Sequence, residues 1–181
     1  MKKRLGSFAL ALVLLMTFCV IPTFVFADTR TEEDTSAEGY RYVITTKFNG
    51  SSTVKGNSIY ITCEKNHSNK TIEVNRSFHG EKTSWSKTIG ANAKESDLKK
   101  NMPADYGNTH GKGATFRILL KPGRTCGFYA YRKTTTWSWT HTKQRQHRKA
   151  NSKEWENVGS SKTSRSTVKK NYTDIGYVIT P

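Results

Sequence analysis

The sequence is poor in the residue spacings that mark a metal centre or a common active site. Only three cysteines and five histidines occur among 181 residues, with no Cys-x-x-Cys pair and no His-x-x-x-His pair. Tetrahedral zinc sites normally show such spacings. The nine acidic residues after residue 38 are scattered, so no carboxylate pair for glycoside cleavage stands out. We therefore expect no metal and no small-molecule cofactor, and the sequence does not favour an enzyme.

Long apolar runs are also missing, apart from one at the N-terminus. Residues 8–21 are almost wholly apolar, follow the basic residues 2–4, and end at Pro22 before the small-residue site Val25-Phe26-Ala27. This order predicts a signal peptide over residues 1–27 that is removed after Ala27, and hence a secreted, extracellular protein of a bacterium. The alternative is an uncleaved membrane anchor.

Acidic residues are few and unevenly placed. The chain has 30 lysines and arginines against 14 acids, a net charge of +16. Five of the acids fall within residues 28–38, which contain no large apolar residue, so this segment is predicted to be a disordered acidic tail. An alternative is that the tail folds back onto a basic face. Residues 39–181 carry +17 and are long enough for a single domain.

Helical periodicity is nearly absent from that domain. Only residues 92–102, which Pro103 ends, are spaced for a short helix. Apolar residues otherwise alternate in runs near residues 40–48, 59–63, 72–78, 116–120, 126–130 and 175–179. This pattern predicts an all-β fold, an antiparallel β-sandwich or open barrel of six to eight strands. The turn at residues 121–124 predicts a hairpin over residues 115–133.

Two cysteines remain after cleavage, and both fall on the predicted inward parity of their strands. Cys63 and Cys126 are therefore predicted to form a disulfide across facing sheets in an oxidising compartment. The alternative is a pair of buried free thiols. A catalytic thiol is disfavoured because inward placement denies access.

The strongest positive signal is the basic, aromatic region that follows Cys126. Residues 132–170 contain eleven basic residues and two acids, with three tryptophans among them. If one strand runs from Cys126 to Thr140, its alternation places an aromatic row on the outer face. A bulge within residues 134–136 would instead turn both tryptophans of this strand into the core. The predicted polymer-binding residues are Tyr129, Tyr131, Lys133, Trp137, Trp139, Lys143, Arg145, Arg148 and Lys149.

Cations beside aromatic faces suit polymers that combine anionic groups with flat surfaces. The sequence thus predicts a secreted basic protein that binds an anionic polymer or an anionic membrane surface at the cell envelope. Nucleic acid also fits this chemistry. An antimicrobial or toxin-like effector that acts on membranes is the alternative, and an exported hydrolase using His110 and the glycine-rich residues 107–113 is a minor one. The sequence carries no signal for an oligomeric state.

Overall fold

The computed structural model describes residues 27–36 and 38–181. The predicted signal peptide lies outside these residues except for Ala27. The described chain forms seven strands and one short 3-10 helix. They are β1 (Asp28–Glu33), β2 (Tyr40–Lys65), β3 (Ile72–Phe78), β4 (Ser84–Thr88), the helix (Glu95–Asn101), β5 (Ala114–Leu120), β6 (Thr125–Arg148) and β7 (Trp155–Thr180).

The strands form two antiparallel sheets, which confirms the all-β prediction. The large sheet has the order β1-β2-β6-β7-β4, and the small one pairs β3 with β5. Strands β2, β6 and β7 contain 26, 24 and 26 residues. At about 3.3 Å per residue, each runs for about 80 Å, so they form one long three-stranded platform.

Both faces of this platform carry a core, at different points along its length. The pairing of β6 with β7 runs without a register shift from Thr125 to Lys143. Side chains therefore alternate strictly between two faces of β6. We call the face with Phe128 the back face and the face with Trp139 the front face.

The back face is covered near the start of β6 by the small sheet. Cys126 and Phe128 pack there with Val74, Ile118 and Leu120. This core follows the predicted inward residues of β3, β5 and β6. Burying several aliphatic and aromatic side chains, each worth about 1.5–3 kcal/mol, stabilises the contact between the two sheets.

The front face is covered near the middle of β6 by the 3-10 helix. Leu98 packs on Trp139 and Val168, and all three are fully buried. Partly buried aromatic and apolar side chains complete this second core: Phe48, Trp85, Met102, Tyr106 and Trp137. The prediction that Trp139 lines an exposed face is wrong. No bulge was needed, because another segment covers the outward-pointing side chain.

The helix itself was predicted, and its position is confirmed in a shorter form. It spans Glu95–Asn101, within the expected residues 92–102. Its first turn is capped because the Asp97 carboxylate accepts a hydrogen bond of 2.8 Å from the Lys94 backbone N–H. Leu98 is its buried contact with the sheet.

The predicted hairpin over residues 115–133 is wrong. Strand β5 pairs with β3 in the small sheet, whereas β6 belongs to the large one. The turn at residues 121–124 is thus a corner between sheets. Buried Asn66 holds this corner, since its amide donates to the Leu120 carbonyl at 2.7 Å and its backbone N–H donates to the Arg124 carbonyl at 2.9 Å.

The disordered acidic tail is also not what the structure shows. Residues 28–33 form β1, which pairs with β2 from Arg41 to Thr46. Its acids bind basic side chains of the domain: Asp28 meets Lys100 at 3.0 Å and Glu32 meets Lys94 at 2.8 Å. The segment folds back because opposite charges face each other across β1 and the covering helix.

The predicted disulfide is contradicted. Cys126 lies opposite Glu64, and Cys63 lies opposite Gly127 on the neighbouring strand. Adjacent positions on paired strands point to opposite faces, so the thiols diverge. Cys126 is buried, Cys63 is exposed, and both are free. The register shift between Tyr60 and Thr62 puts Cys63 on the face opposite to that of Ile59, and both Ile59 and Ile61 are exposed.

Candidate functional site

The front face of the long sheet has three zones. The middle zone lies under the helix and contains Trp137 and Trp139. One open end carries Tyr129 and Tyr131, and the other carries Lys143 and the side chains beyond it. The structure thus places some of the predicted binding residues on two separate surfaces, with Trp137 and Trp139 in the core between them.

The first surface, which we call the tyrosine patch, consists of Tyr60, Tyr129, Tyr131 and Val178. Tyr60 and Tyr129 lie opposite each other on β2 and β6, with ring centroids 5.7 Å apart. Tyr129 and Tyr131 are neighbours on the same face of β6, and their ring centroids are 6.4 Å apart. Tyr60 is 55% exposed and Val178 is 45% exposed. The patch is therefore a continuous aromatic and apolar surface open to solvent.

Two glycines allow the tyrosine rings to lie close to the sheet. A Cβ atom on Gly127 would stand 3.1 Å from the Tyr129 ring, and one on Gly176 would stand 2.9 Å from the Tyr131 ring. These distances are shorter than ordinary carbon contacts of about 3.5–4.0 Å. The glycines thus create the space in which the rings form a flat surface.

Lysines border the tyrosine patch. The Lys55 ammonium sits 3.7 Å from the centroid of the Tyr131 ring, a cation–π geometry. Lys133 instead donates to the Asp174 carboxylate at 2.6 Å, and this hydrogen bond raises the pKa of Lys133. The predicted cation Lys133 is neutralised locally, whereas Lys55 brings a charge that the sequence analysis did not select.

The second surface is a concave site that we call the cation pocket. It has a volume of about 370 Å³ and is lined by Tyr42, Asn92, Lys143, Arg145, Val158, Gly159, Ser160 and Lys162. The Lys143 ammonium lies 3.9 Å from the centroid of the Tyr42 ring. The lining contains three cations and no carboxylate.

Arg145 is anchored rather than free at the edge of this pocket. Its Nε donates to the buried Asp34 carboxylate at 2.8 Å, and its guanidinium lies 4.1 Å from the Tyr40 ring centroid. Hydrogen bonds from Ser36 and then from Arg145 lower the pKa of Asp34. Arg145 therefore helps to hold β1 against the sheet.

The last two predicted binding residues lie beyond the pocket and are exposed. Lys149 meets Glu156 at 2.7 Å, and the Arg148 guanidinium donates to the Ser152 carbonyl at 3.1 Å. Nearby, Arg41 lies 4.0 Å from the centroid of the Trp155 ring. These local contacts order the basic turn between β6 and β7.

Sequence reasoning missed the aromatic and basic residues that β2 and β7 bring to the two surfaces. Tyr60 and Lys55 lie on β2, where register shifts hide their face, and Lys162 follows the shift between β6 and β7. Tyr42 was assigned to a strand and not to a site. The available signal was the density of Tyr and Lys in residues 40–60, which strand pairing alone connects to β6.

The residues of the hydrolase alternative line neither the tyrosine patch nor the cation pocket. His110 is exposed on the connection between the helix and β5, where its backbone N–H donates to the Asn108 side chain at 2.9 Å. Within residues 27–36 and 38–181, no three His, Cys, Asp or Glu side chains are grouped to hold a metal ion. No helix in the described part of the chain has the length and apolarity needed to cross a bilayer.

No family model and no curated protein matches the chain. Two solved structures are similar to it. One is a putative pore-forming toxin from Bacteroides vulgatus, with a TM-score of 0.32 and 9% identity over 85% of this chain and 74% of the other. The other is the parasporin-2 toxin of Bacillus thuringiensis, described as recognising cancer cells, with a TM-score of 0.22 and 13% identity over 77% of this chain and 75% of the other.

Proposed function

We propose that the protein is a secreted, toxin-like effector that attaches to the anionic membrane surface of a cell. The observation that carries this proposal is the tyrosine patch, an exposed aromatic and apolar surface bordered by Lys55. Tyrosine rings sit favourably at the boundary between lipid headgroups and hydrocarbon, where one end of the ring is apolar and the other is wet.

The charge of the domain supports attachment to such a surface. Residues 39–181 carry a net charge of +17. A membrane leaflet that contains anionic lipid binds basic segments with a free energy of about 1 kcal/mol for each lysine or arginine close to its surface. Electrostatic attraction concentrates the protein, and the tyrosines provide the short-range contact. Attachment should therefore weaken with salt while keeping an apolar component.

Vesicle flotation tests this proposal. Removing a tyrosine side chain from the contact forfeits about 1.5 kcal/mol of burial, or roughly tenfold in affinity. The double variant Y60S/Y129S should bind phosphatidylglycerol vesicles at least tenfold more weakly than the unmodified protein. L119S is the matched control, because Leu119 is 69% exposed but lies on β5 outside the patch. Equal losses in both variants would refute a membrane contact through the patch.

Dye release from the same vesicles separates attachment from damage. A toxin-like effector should release an entrapped dye, and Y60S/Y129S should release it in proportion to its weaker binding. Binding without release would reject the toxin-like activity and leave an adhesive protein.

A second candidate function is binding of an anionic envelope polymer, and the cation pocket favours it. Lys143, Arg145 and Lys162 line a concavity without any acid, at the opposite end of the front face from the tyrosines. Co-sedimentation with Gram-positive walls, with and without teichoic acid, tests this candidate. Binding that requires the polymer and falls steeply with salt supports it, and salt-independent binding overturns it.

A further inference from the structure

The cation pocket has a charge that nothing in its lining offsets. Neither the Lys143 nor the Lys162 ammonium has a carboxylate partner within 4.0 Å among the described residues, in contrast to Arg145, which pairs with Asp34. Two like charges at one concavity repel each other, and an anion placed between them would remove that cost.

The pocket is already formed by a bulge in β7. Lys143 pairs with Lys162 and Arg145 pairs with Val158, so Gly159, Ser160 and Ser161 bulge from the ladder. Gly159 has a φ of +69°, which glycine adopts without strain. The Gln144 amide donates to the Val158 and Gly159 carbonyls at 3.2 and 3.4 Å. These contacts fix the bulge in place.

The size of the pocket exceeds that of a bare anion. A cavity needs only about 10–15 Å³ of such space to hold one water molecule, so the 370 Å³ of the pocket is much more than a bare anion requires. A phosphate group alone would leave most of it empty. The remaining space is bordered by the Val158 side chain, the Tyr42 ring and the polar side chains of Asn92 and Ser160.

This mixture is what a phosphorylated sugar requires. A phosphate monoester carries a charge of about −1.5 to −2 at neutral pH, matching the two unpaired ammoniums better than a singly charged carboxylate or sulfate ester does. The hydroxyl groups of a sugar could bond to the Asn92 carbonyl oxygen and the Ser160 hydroxyl. The Asn92 side-chain nitrogen already donates to the Lys162 backbone carbonyl at 3.2 Å, and this hydrogen bond orients the side-chain oxygen of Asn92.

We infer that the cation pocket binds a sugar phosphate, held by Lys143 and Lys162 through the phosphate and by Asn92 and Ser160 through the sugar. The inference deepens the envelope-polymer candidate by naming the unit recognised, a sugar that carries a phosphate monoester and not the singly charged phosphodiester of a polymer backbone. It is independent of membrane contact by the tyrosine patch.

Calorimetric titration of the secreted protein with glucose 6-phosphate, glucose and inorganic phosphate tests the inference. Glucose 6-phosphate should bind at least tenfold more tightly than inorganic phosphate, and glucose should show no binding. Equal affinity for the two phosphates would overturn the sugar contact. Equal affinity for glucose and its phosphate would overturn the charge contact.

Matched lysine variants locate the site. K143Q and K162Q should each lower the affinity for glucose 6-phosphate about tenfold. K47Q and K169Q remove the same charge from β2 and β7 on the back face, and they should leave the affinity within twofold. A loss in the control variants equal to that in the pocket variants would show diffuse attraction and overturn the pocket assignment. Circular dichroism of each variant confirms that the fold is retained.

Such a unit could come from a wall polymer or from the headgroup of a phosphoinositide, and competition distinguishes these two sources. Glucose 6-phosphate should displace the protein either from walls whose polymer carries sugar phosphate monoesters or from vesicles containing a phosphoinositide whose inositol ring carries a phosphate monoester. Displacement from neither would overturn the inference. A protein that ignores glucose 6-phosphate but still floats with phosphatidylglycerol vesicles would refute the pocket ligand and leave the proposed membrane attachment standing.

Discussion

Tyr129 and Trp139 lie on the same face of the same strand, and their surroundings differ completely. Trp139 has no exposed surface and packs against Leu98 and Val168. Tyr129 remains partly exposed beside Tyr60 and Tyr131. Both side chains point outward from β6 by the same alternation, yet one stabilises the fold and the other forms a surface.

Alternation along a strand therefore determines on which face a side chain lies, and a covering element determines whether that side chain is exposed. The helix at Glu95–Asn101 crosses only the middle of the front face. Ion pairs from β1 tie it there, including Arg30 with Asp97 at 3.0 Å. An aromatic row thus becomes a core where it is covered and a candidate binding surface where it is not.

Truncating the covered tryptophan should have the largest effect on stability. W139A should lower the free energy of unfolding by about 3–5 kcal/mol, because it leaves a cavity in the second core. W139F should cost much less, since the buried Trp139 indole N–H has no hydrogen-bond partner in the described structure that the change would break. Urea unfolding measures both values. A cost for Y129A as large as that for W139A would contradict the distinction between core and surface.

Adding a methyl group beneath the open tyrosines should have an intermediate effect. G176A places a Cβ 2.9 Å from the Tyr131 ring, and the displaced ring should cost about 1–3 kcal/mol. The double variant G176A/Y131A removes the clash, so the two changes should be less costly together than their sum. Additive costs in urea unfolding would show that the ring does not depend on the glycine.

The covered zone should also respond to pH through a buried histidine. His141 is fully buried, and its ring nitrogens contact the hydroxyls of Thr46 at 2.9 Å and Ser166 at 2.7 Å. Burial lowers the pKa of His141, with Asp97 raising it and Arg30 lowering it to smaller extents. As the pH falls through about 6.5, His141 therefore binds a proton in the unfolded chain but stays neutral in the folded chain.

Stability should consequently fall as the pH drops from about 7 towards the folded-state pKa. H141Q, which keeps hydrogen-bonding atoms but does not titrate, should flatten this dependence in urea unfolding at several pH values. H67Q is the control, because His67 is exposed. An unchanged pH profile in H141Q would show that His141 is not the group responsible.

The smallest effect is expected at the exposed ion pairs that hold the covering helix. D28N removes the partner of Lys100, and both side chains are about half exposed. Exposed pairs of this kind contribute about 0.2–1 kcal/mol, so the loss should be near the lower value and should vanish in high salt. A larger loss that persists in high salt would indicate that the whole strand β1 detaches.

The sequence predicted the strands well where their pairing is regular. Inward residues of β3, β5 and the first part of β6 were identified correctly, because apolar and polar residues alternate without interruption along each of these segments. Val74, Ile118 and Phe128 are buried in the first core, one from each strand. The short helix was recognised from the spacing around Leu98 and from Pro103. These features depend on local periodicity and local backbone restriction, which a sequence displays directly.

What failed depended on partners distant in the chain. The Cys63 prediction was wrong because β2 contains register shifts after Phe48, Lys55 and Tyr60 that reverse its parity. The hairpin at residues 121–124 failed because a Pro-Gly turn also suits a corner between sheets. The cation pocket is built from residues of β2, β6 and β7 together with Asn92, and no local sequence pattern predicts that these segments lie side by side.

The irregular backbone of β2 protects an open edge of the large sheet from pairing with other molecules at high protein concentration. Strand β1 covers its outer edge only from Arg41 to Thr46, so the edge from Lys47 to Lys65 has no strand beside it in the described sheet. An open edge of this kind invites fibrous stacking between molecules. The bulges that shift the register, together with Lys47, Lys55 and Lys65, spoil the straight and uncharged template that such stacking needs.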